Sequence, residues 1–328
     1  MSVVPGTFEP LVGAATLVAL AAVALYAIFG GADFGGGVWD VLASGPRREE
    51  QRTAIAHAIG PVWETNHVWL IFAIVTLFTC FPPAFAAIST GLFLPLTFVL
   101  VGIILRGAAY AFRPQGGAPS LMGRAWGSVF GIASVIAPFF FGAAVGGLTL
   151  GEYRWSAPFA LVIGILAVAL CAQLAAVFLV LETGGALRAD FRKRAIAATF
   201  VLAAVGALAL ALAAATAPNT FAALVEARSR PGIGVAMALG FVVLAALVGR
   251  RFALARIAVA AEAIAVLAGW YLAQAPFLVP HEMTANAAAA PPSVLRAFLW
   301  LVAGGTVLLV PSLILLFRIF KGQPKHAT

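Results

Sequence analysis

Nine apolar runs, each long enough to cross a lipid bilayer, follow one another along this sequence. A bilayer core about 30 Å thick requires a helix of about 20 apolar residues. Of the 328 residues, 63% are hydrophobic and only 10% are charged, which excludes an ordinary soluble domain. The sequence therefore predicts an all-α polytopic membrane protein, a single integral membrane domain over residues 1–328. The predicted spans are Leu11–Phe29, Ala54–Phe78, Ala84–Ala109, Trp126–Leu148, Ala157–Leu181, Ala195–Ala215, Gly232–Val248, Ala253–Tyr271 and Val294–Phe320.

Lysine and arginine residues lie mainly on one side of the predicted membrane. Sixteen of the 20 fall on one side, and Arg106 is counted among them at the end of the third span. The four on the other side are Arg154, Arg228, Arg230 and Arg296. Because positively charged loops stay in the cytoplasm, this asymmetry predicts an outside N-terminus and a cytoplasmic C-terminus. The apolar stretch after Pro10 is too long for a signal peptide, so we expect it to be retained as the first span.

The net charge of +8 does not indicate nucleic-acid binding, because the basic residues form short clusters between apolar runs rather than a continuous basic face. Cys80 and Cys171 lie far apart and no CxxC motif occurs, so neither a disulfide framework nor a metal site is predicted. The sequence has no Rossmann glycine pattern, no Walker motif and no histidine pair suited to a haem. We expect this chain to hold no cofactor and to perform no redox chemistry alone.

Small residues four positions apart recur within the spans. Gly31 and Gly35 form one such pair, and Gly142 and Gly146 form another. In membrane helices this spacing lets two backbones approach closely. We interpret these glycines as packing features.

Ionisable side chains inside the predicted spans are few, and they cluster. The second span contains His57, Glu64 and His67, which lie on one stripe of a helix at about 100° per residue. Each such group costs about 2.5 to 3.5 kcal/mol on insertion scales, so each is a functional candidate by default. Asp33 follows the first span and is expected near its cytoplasmic end. Together the four residues predict a ladder that carries protons from the cytoplasm toward the bilayer middle, with water bridging the steps.

The same residues also have a structural interpretation. Asp33 would then be a turn residue at a glycine-rich helix end, and Glu64 a neutral acid hydrogen-bonded to His67. A metal site is a third interpretation, but His57 and His67 are ten positions apart and lack the spacing of an HExxH motif.

Other polar residues carry weaker signals. Glu262, in the eighth span, is either a polar packing residue or an additional proton site. His281 and Glu282 lie in an outer connection, where we expect a solvated role rather than catalysis. That connection, from about residue 273 to residue 293, shows no strand periodicity.

Four segments of the sequence carry a family resemblance. They are GADFGGGVWDVL, IGPVWETNHVW with the residues that follow it to LFLPL, LRGAAYAFR, and APFLVPHEMTANAAAAPPSVL. These segments resemble the second subunit of cytochrome bd-type quinol oxidases, and the similarity extends over essentially the whole chain. The resemblance implies two four-helix bundles related by pseudo-symmetry, at about residues 9–149 and 157–273, plus a peripheral ninth helix at residues 294–320.

The resemblance also implies a function and partners. The family forms a heterodimer in the bacterial plasma (inner) membrane, in which subunit I holds b-type and d-type haems, oxidises quinol and reduces oxygen to water. This chain resembles the subunit without haem ligands, and the family leaves room for a small single-helix subunit and a bound quinone. Asp33 and Glu64 match two family acids that are proposed to help deliver cytoplasmic protons. The sequence departs from the family pattern at Gly30, which replaces a first acid, and at Glu64 and His67, which replace the more usual Asp and Gln.

Two other functions remain open. A proton-coupled transporter would use the same buried residues, but no pair of interrupted helices occurs at corresponding positions of the two halves. A purely structural assembly subunit would need the polar residues only for packing.

Overall fold

A computed structural model describes residues 9–112, 121–226 and 230–321 of the chain. Within these ranges, the side chains of residues 59–65, 121, 122, 124, 310, 313, 314 and 316–321 lie outside the description. The elements are α1 (Pro10–Val41), α2 (Arg48–Cys80), α3 (Pro82–Gly91), α4 (Phe93–Phe112), α5 (Leu121–Thr149), α6 (Pro158–Glu182), α7 (Gly185–Thr216), α8 (Pro218–Val225), α9 (Arg230–Val248), α10 (Phe252–Gln274), β1 (Phe277–Val279), β2 (Met283–Thr284), α11 (Ala285–Ala288) and α12 (Pro292–Lys321).

The membrane-spanning helices agree with the apolar runs. In the described part of the chain, eight helices are long and apolar enough to cross a bilayer. A ninth candidate is a bent pair, in which residues 66–80 of α2 meet α3 at 119°. The described part of the chain is thus nearly all-helical with eight to nine candidate spans, where the sequence predicted nine. Its orientation in the membrane stays a prediction.

The prediction of one continuous third span, Ala84–Ala109, was wrong. The chain forms α3 and α4 instead, separated at Leu92. The bend between α2 and α3 lies at Phe81, which ends the first helix and precedes the second. Pro82 and Pro83 follow it, and prolines suit the first turn of a helix because the missing N–H groups have no helical partner there.

The helices can be described as two groups, which meet where α1 and α5 pack on α6. The first helix group contains α1, α2, α4 and α5, and the second contains α6, α7, α9 and α10. In each group the first helix packs on the second and on the fourth, and the third packs on the fourth. α12 packs on α1 and α2. The arrangement of two four-helix bundles with a peripheral last helix stays a prediction.

Glycines allow the central helices to approach closely. A Cβ atom added at Gly35 of α1 would overlap the carbonyl group of Cys171 in α6. One added at Gly146 of α5 would lie 2.6 Å from the Cα atom of Ala160 in α6. The packing role predicted for these glycines therefore holds at both crossings of α6.

Between α10 and α12 the chain forms a short antiparallel pair of strands. β1 and β2 pair Phe277 with Thr284 and Val279 with Met283, with a register shift between the pairs. The sequence shows no strand periodicity here because strands of two and three residues are too short for an alternating pattern.

Arginines of α7 bind the ends of neighbouring helices. Arg188, Arg192 and Arg194 each donate to backbone carbonyl groups at or just beyond a helix C-terminus. The acceptors are Val180 and Thr183 at the end of α6, Leu247 and Val248 at the end of α9, and Leu42 after α1. The last carbonyls of a helix have no helical partner and carry the negative end of its dipole, so a guanidinium stabilises them. The ends of α1, α6 and α9 and the start of α7 therefore form one arginine-rich end of the molecule.

Candidate functional site

An ion pair joins α1 and α4 in the interior of the first helix group. Asp33 is 0% exposed and Arg106 is 1% exposed. The two terminal nitrogens of Arg106 donate to the two carboxylate oxygens of Asp33, both at 2.7 Å. One of these nitrogens also donates to the backbone carbonyl of Asp33 at 2.9 Å. This two-pronged geometry is among the strongest that a carboxylate can receive.

Two further helices complete the set of hydrogen bonds around this pair. Asn66 of α2 donates its amide to the Asp33 carboxylate at 2.6 Å. The Arg106 Nε atom donates to Ser134 Oγ of α5 at 2.9 Å. We call these four residues, Asp33, Asn66, Arg106 and Ser134, the first polar centre. Each helix of the first group contributes one of its members.

Two aromatic rings lie close to the Arg106 guanidinium. The Arg106 Cζ atom lies 4.6 Å from the centre of the Phe130 ring and 5.2 Å from that of the Phe34 ring. Cation–π contacts of this kind stabilise a desolvated guanidinium by about 2 kcal/mol or more. Arg106 therefore keeps contacts with Ser134, two rings and a backbone carbonyl that do not depend on the charge of Asp33.

Two sequence expectations are corrected by this geometry. Asp33 is not a residue at the helix end, because α1 continues for eight more residues to Val41, which is about 12 Å along the axis. Arg106 is not a solvated charge in a connection, because it lies inside α4 and is buried. Arg106 lies within a predicted span, so it met the same criterion as the other ionisable residues inside the spans. It was counted among the basic residues on one side of the membrane instead, and was therefore not recognised as a functional candidate.

The other predicted ladder residues differ in burial and in their distance from Asp33. His67 is half-buried and lies within electrostatic range of the Asp33 carboxylate. His57 is exposed on α2 and does not belong to the first polar centre. The side chain of Glu64 lies outside the described residues. The part of the chain that the structure describes thus brings Asp33 and His67 together.

Glu262 belongs to a second buried polar set. The amide of Gln173 in α6 donates to Glu262 Oε2 of α10 at 3.0 Å and to Thr199 Oγ1 of α7 at 3.2 Å. A Cβ atom added at Gly240 of α9 would lie 3.0 Å from Glu262 Oε1. We call Gln173, Thr199 and Glu262 the second polar centre. No sequence signal pointed to Gln173 or Thr199, since neither is ionisable.

The two centres occupy corresponding helices of the two groups. Asp33 and Gln173 come from the first helix of each group, and Asn66 and Thr199 from the second. The fourth helices contribute Ser134 in one group and Glu262 in the other. The third helices differ most, since α4 supplies the cation Arg106 and α9 supplies only Gly240. The second centre therefore contains an acid without the cation that the first centre has.

Asp40 lies between the first polar centre and the arginine-rich end. It is 2% exposed, and Arg52 Nε lies 3.8 Å from its carboxylate. Asp33 and Asp40 are seven residues apart on α1, so they share one side of the helix at about 10 Å along the axis. Asp40, like Asp33, follows the apolar run assigned to the first span, but it lies seven residues further along the chain and was not singled out.

Haem and metal ligands do not converge in the described part of this chain. No group of three or more His, Cys, Asp or Glu side chains there is placed to hold a metal ion. His57 and His67 share one helix, and His281 lies between the two short strands. These three histidines therefore form no pair on facing helices.

Comparison with known proteins decides the family. The sequence profile of the family "Cytochrome bd terminal oxidase subunit II" matches residues 12–320. The chain belongs to this family. The resemblance seen in the sequence is confirmed, and this bd oxidase subunit II is a membrane protein with multiple apolar helices.

Relatives and a solved structure are consistent with that membership. The cytochrome bd ubiquinol oxidase subunit 2 of Bacillus subtilis (strain 168) is 31% identical over 112 residues, which are 34% of this chain and 32% of that protein. The cytochrome bd-I ubiquinol oxidase subunit 2 of Escherichia coli (strain K12) is 27% identical over 206 residues, 57% of this chain and 52% of that protein. The matched segments thus span about a third to a half of these relatives. A chain of the bd oxidase from Geobacillus thermodenitrificans shares the fold with a TM-score of 0.75 and 19% identity, over 96% of this chain and 100% of that chain.

Proposed function

We propose that this chain is the subunit of a bd-type quinol:oxygen oxidoreductase that supports a haem-bearing subunit I and helps deliver cytoplasmic protons to it. Family membership supports the oxidase assignment. The buried pair of Asp33 and Arg106, held inside an apolar helix group, is the observation that supports proton delivery. Haems b and d would belong to the partner, where they supply the electron transfer. A quinone bound to this chain and a small single-helix subunit remain predictions from the family.

The first polar centre has the property that a proton carrier needs. Reduction of oxygen to water consumes protons. A residue that carries them must gain and release a proton while the side chains around it keep their positions. Arg106 stays anchored by Ser134, by the Asp33 backbone carbonyl and by two aromatic rings when the carboxylate is neutral. Protonation of Asp33 would therefore weaken one interaction of Arg106 without releasing it. The guanidinium favours the return of Asp33 to its charged form, so the carboxyl releases the proton again.

The order of Asp40 and Asp33 along α1 suggests the direction of proton transfer. Asp40 and its neighbour Arg52 lie toward the arginine-rich end, which the positive-inside rule assigns to the cytoplasm. Asp33 lies about 10 Å deeper, and His67 is within electrostatic range of it. We propose that protons pass from Asp40 to Asp33 and then to Glu64 and His67, with water bridging the longer steps. His57, which is exposed, would act only if a partner or water covers it.

Substitution in the assembled oxidase tests this proposal. Asp33→Asn should slow oxygen consumption while the absorbance of the haems stays largely unchanged. Glu152→Gln is a matched control, because Glu152 is exposed and its ion pair is with Arg154 in a loop. Unchanged turnover in Asp33→Asn would refute proton delivery through this centre. Loss of all haem absorbance would instead support a purely structural role in assembly, and purification without d-type haem would favour a proton-coupled transporter.

A further inference from the structure

A charged cavity opens at the arginine-rich end of the molecule. It has a volume of about 270 Å³ and lies between the loop after α1, the first turn of α2 and the first turns of α7. Its lining consists of Ser44, Gly45, Pro46, Arg47, Gln51, Asp190, Lys193 and Arg194. This cavity is separate from both polar centres, and no step of the proposed proton path uses it.

Positive charge exceeds negative charge in the lining. Arg47, Lys193 and Arg194 face a single acid, Asp190. Arg47 occupies that acid with two hydrogen bonds, of 2.9 and 2.7 Å. Among the described residues, no carboxylate lies within ion-pair distance of Lys193 or Arg194. Asp190 also interacts electrostatically with Arg194, so its one negative charge is shared and the lining keeps two more positive charges than negative ones.

The walls of the cavity are held in place without a ligand. Gln51 accepts hydrogen bonds from the Arg194 guanidinium at 2.7 Å and from the Ser44 backbone at 3.2 Å. Its amide donates to Asp190 at 3.2 Å. Arg194 also lies against the rings of Trp39 and Phe191. Its Nη1 atom is buried and has no hydrogen-bond acceptor among the described residues.

The position of the cavity indicates where its ligand would come from. Its residues directly precede the apolar stretches of α2 and α7, which begin at about Ala54 and Ala195. That level of a membrane protein lies among the lipid headgroups. Basic pockets between helices on the cytoplasmic side bind anionic headgroups, because phosphate oxygens accept hydrogen bonds and offset the excess charge.

We propose that this cavity binds a phosphate group, and that anionic phospholipid supplies it. Lys193 and Arg194 neutralise the phosphate, and Arg47 remains paired with Asp190. A soluble phosphate compound has the same chemistry, so the experiment includes it as a separate arm.

Lipid retention by the purified complex tests the proposal. Native mass spectrometry in detergent should detect a phospholipid bound to the intact complex, and Lys193→Gln should reduce the bound fraction several-fold. Lys193 is exposed and makes no hydrogen bond in the described structure, so its substitution should not disturb folding. Arg251→Gln is the matched control, because it removes one exposed positive charge from the same end outside the cavity.

A second arm identifies the source of the phosphate. The delipidated complex is titrated with inorganic phosphate and, separately, with nanodiscs that contain phosphatidylglycerol or only phosphatidylcholine. Preference for phosphatidylglycerol that Lys193→Gln abolishes supports the lipid assignment. Binding of inorganic phosphate without a preference for phosphatidylglycerol would support a phosphate-binding site but would contradict phospholipid as the source of the phosphate. Equal lipid retention by Lys193→Gln, Arg251→Gln and the unmodified complex, with no phosphate binding, would overturn the proposal altogether.

Discussion

Arg106 binds both carboxylate oxygens of Asp33 and joins the first and third helices of the first group inside the apolar interior. Burying an ion pair is expensive, and the attraction between its members offsets that penalty only when hydrogen bonds satisfy the remaining groups. Asn66 and Ser134 provide those bonds here. The pair is therefore both a connection between helices and a site where one protonation event changes the local charge.

Removal of the cation should destabilise the protein strongly. Arg106→Gln leaves Asp33 charged and unpaired in the interior, which costs about 3 to 5 kcal/mol. The double variant Asp33→Asn with Arg106→Gln removes both charges, so it should unfold at a higher temperature than Arg106→Gln alone. Thermal unfolding of the complex in detergent measures both effects. If the losses of stability from the two substitutions simply add, and the double variant is no more stable than Arg106→Gln, then Asp33 and Arg106 are not energetically coupled.

The helices were predictable from the sequence, whereas the partners of the buried acids were not. Long apolar runs specify spans because lipid tolerates little else, so the predicted ends differ from the helices mainly at polar extensions such as residues 30–41 of α1. The contact between Asp33 and Arg106 joins residues 73 positions apart, and no local pattern carries it. Asn66, Gln173 and Thr199 are uncharged and have no periodicity that distinguishes them. Their roles became visible only when the helices were placed side by side.

Close packing of α1 on α6 gives a second prediction. Gly35→Ala places a methyl group on the Cys171 carbonyl and forces the helices apart, at a cost of about 1 to 3 kcal/mol. Gly305→Ala in α12 is the control, because nothing lies within 4 Å of the added Cβ atom. That control should be neutral or stabilise by about 0.5 to 1 kcal/mol, since alanine favours a helix. Similar melting temperatures for the two variants would contradict the close crossing.

The outer surface offers a prediction about pH. The Tyr153 hydroxyl donates to Glu282 at 2.7 Å, and burial together with this bond raises the pKa of Tyr153 from 10.0 to about 12. A raised pKa means that the folded state holds the proton more tightly. The stability from this contact is thus complete below about pH 10 and is lost as the pH rises through 12. The difference in tyrosinate absorbance between the unmodified protein and Tyr153→Phe should rise near pH 12, and a rise near pH 10 would contradict the contact.

The second polar centre predicts a graded effect on turnover. Glu262→Gln keeps an oxygen that accepts from the Gln173 amide, so stability should change little. Glu262→Leu removes that acceptor and leaves the amide only its bond to Thr199, so one buried N–H loses its partner at a cost of about 1 to 3 kcal/mol. Glu262 has no equivalent of Arg106 among the described residues, and no buried acid corresponding to Asp40 lies between it and the arginine-rich end in the described part of α10. A group without a charged partner or a relay toward the aqueous phase exchanges protons slowly. We therefore expect Glu262→Gln to slow oxygen consumption less than Asp33→Asn, measured on complexes with equal haem content. A decrease as large as that of Asp33→Asn would make Glu262 a second proton site and assign a path to each helix group.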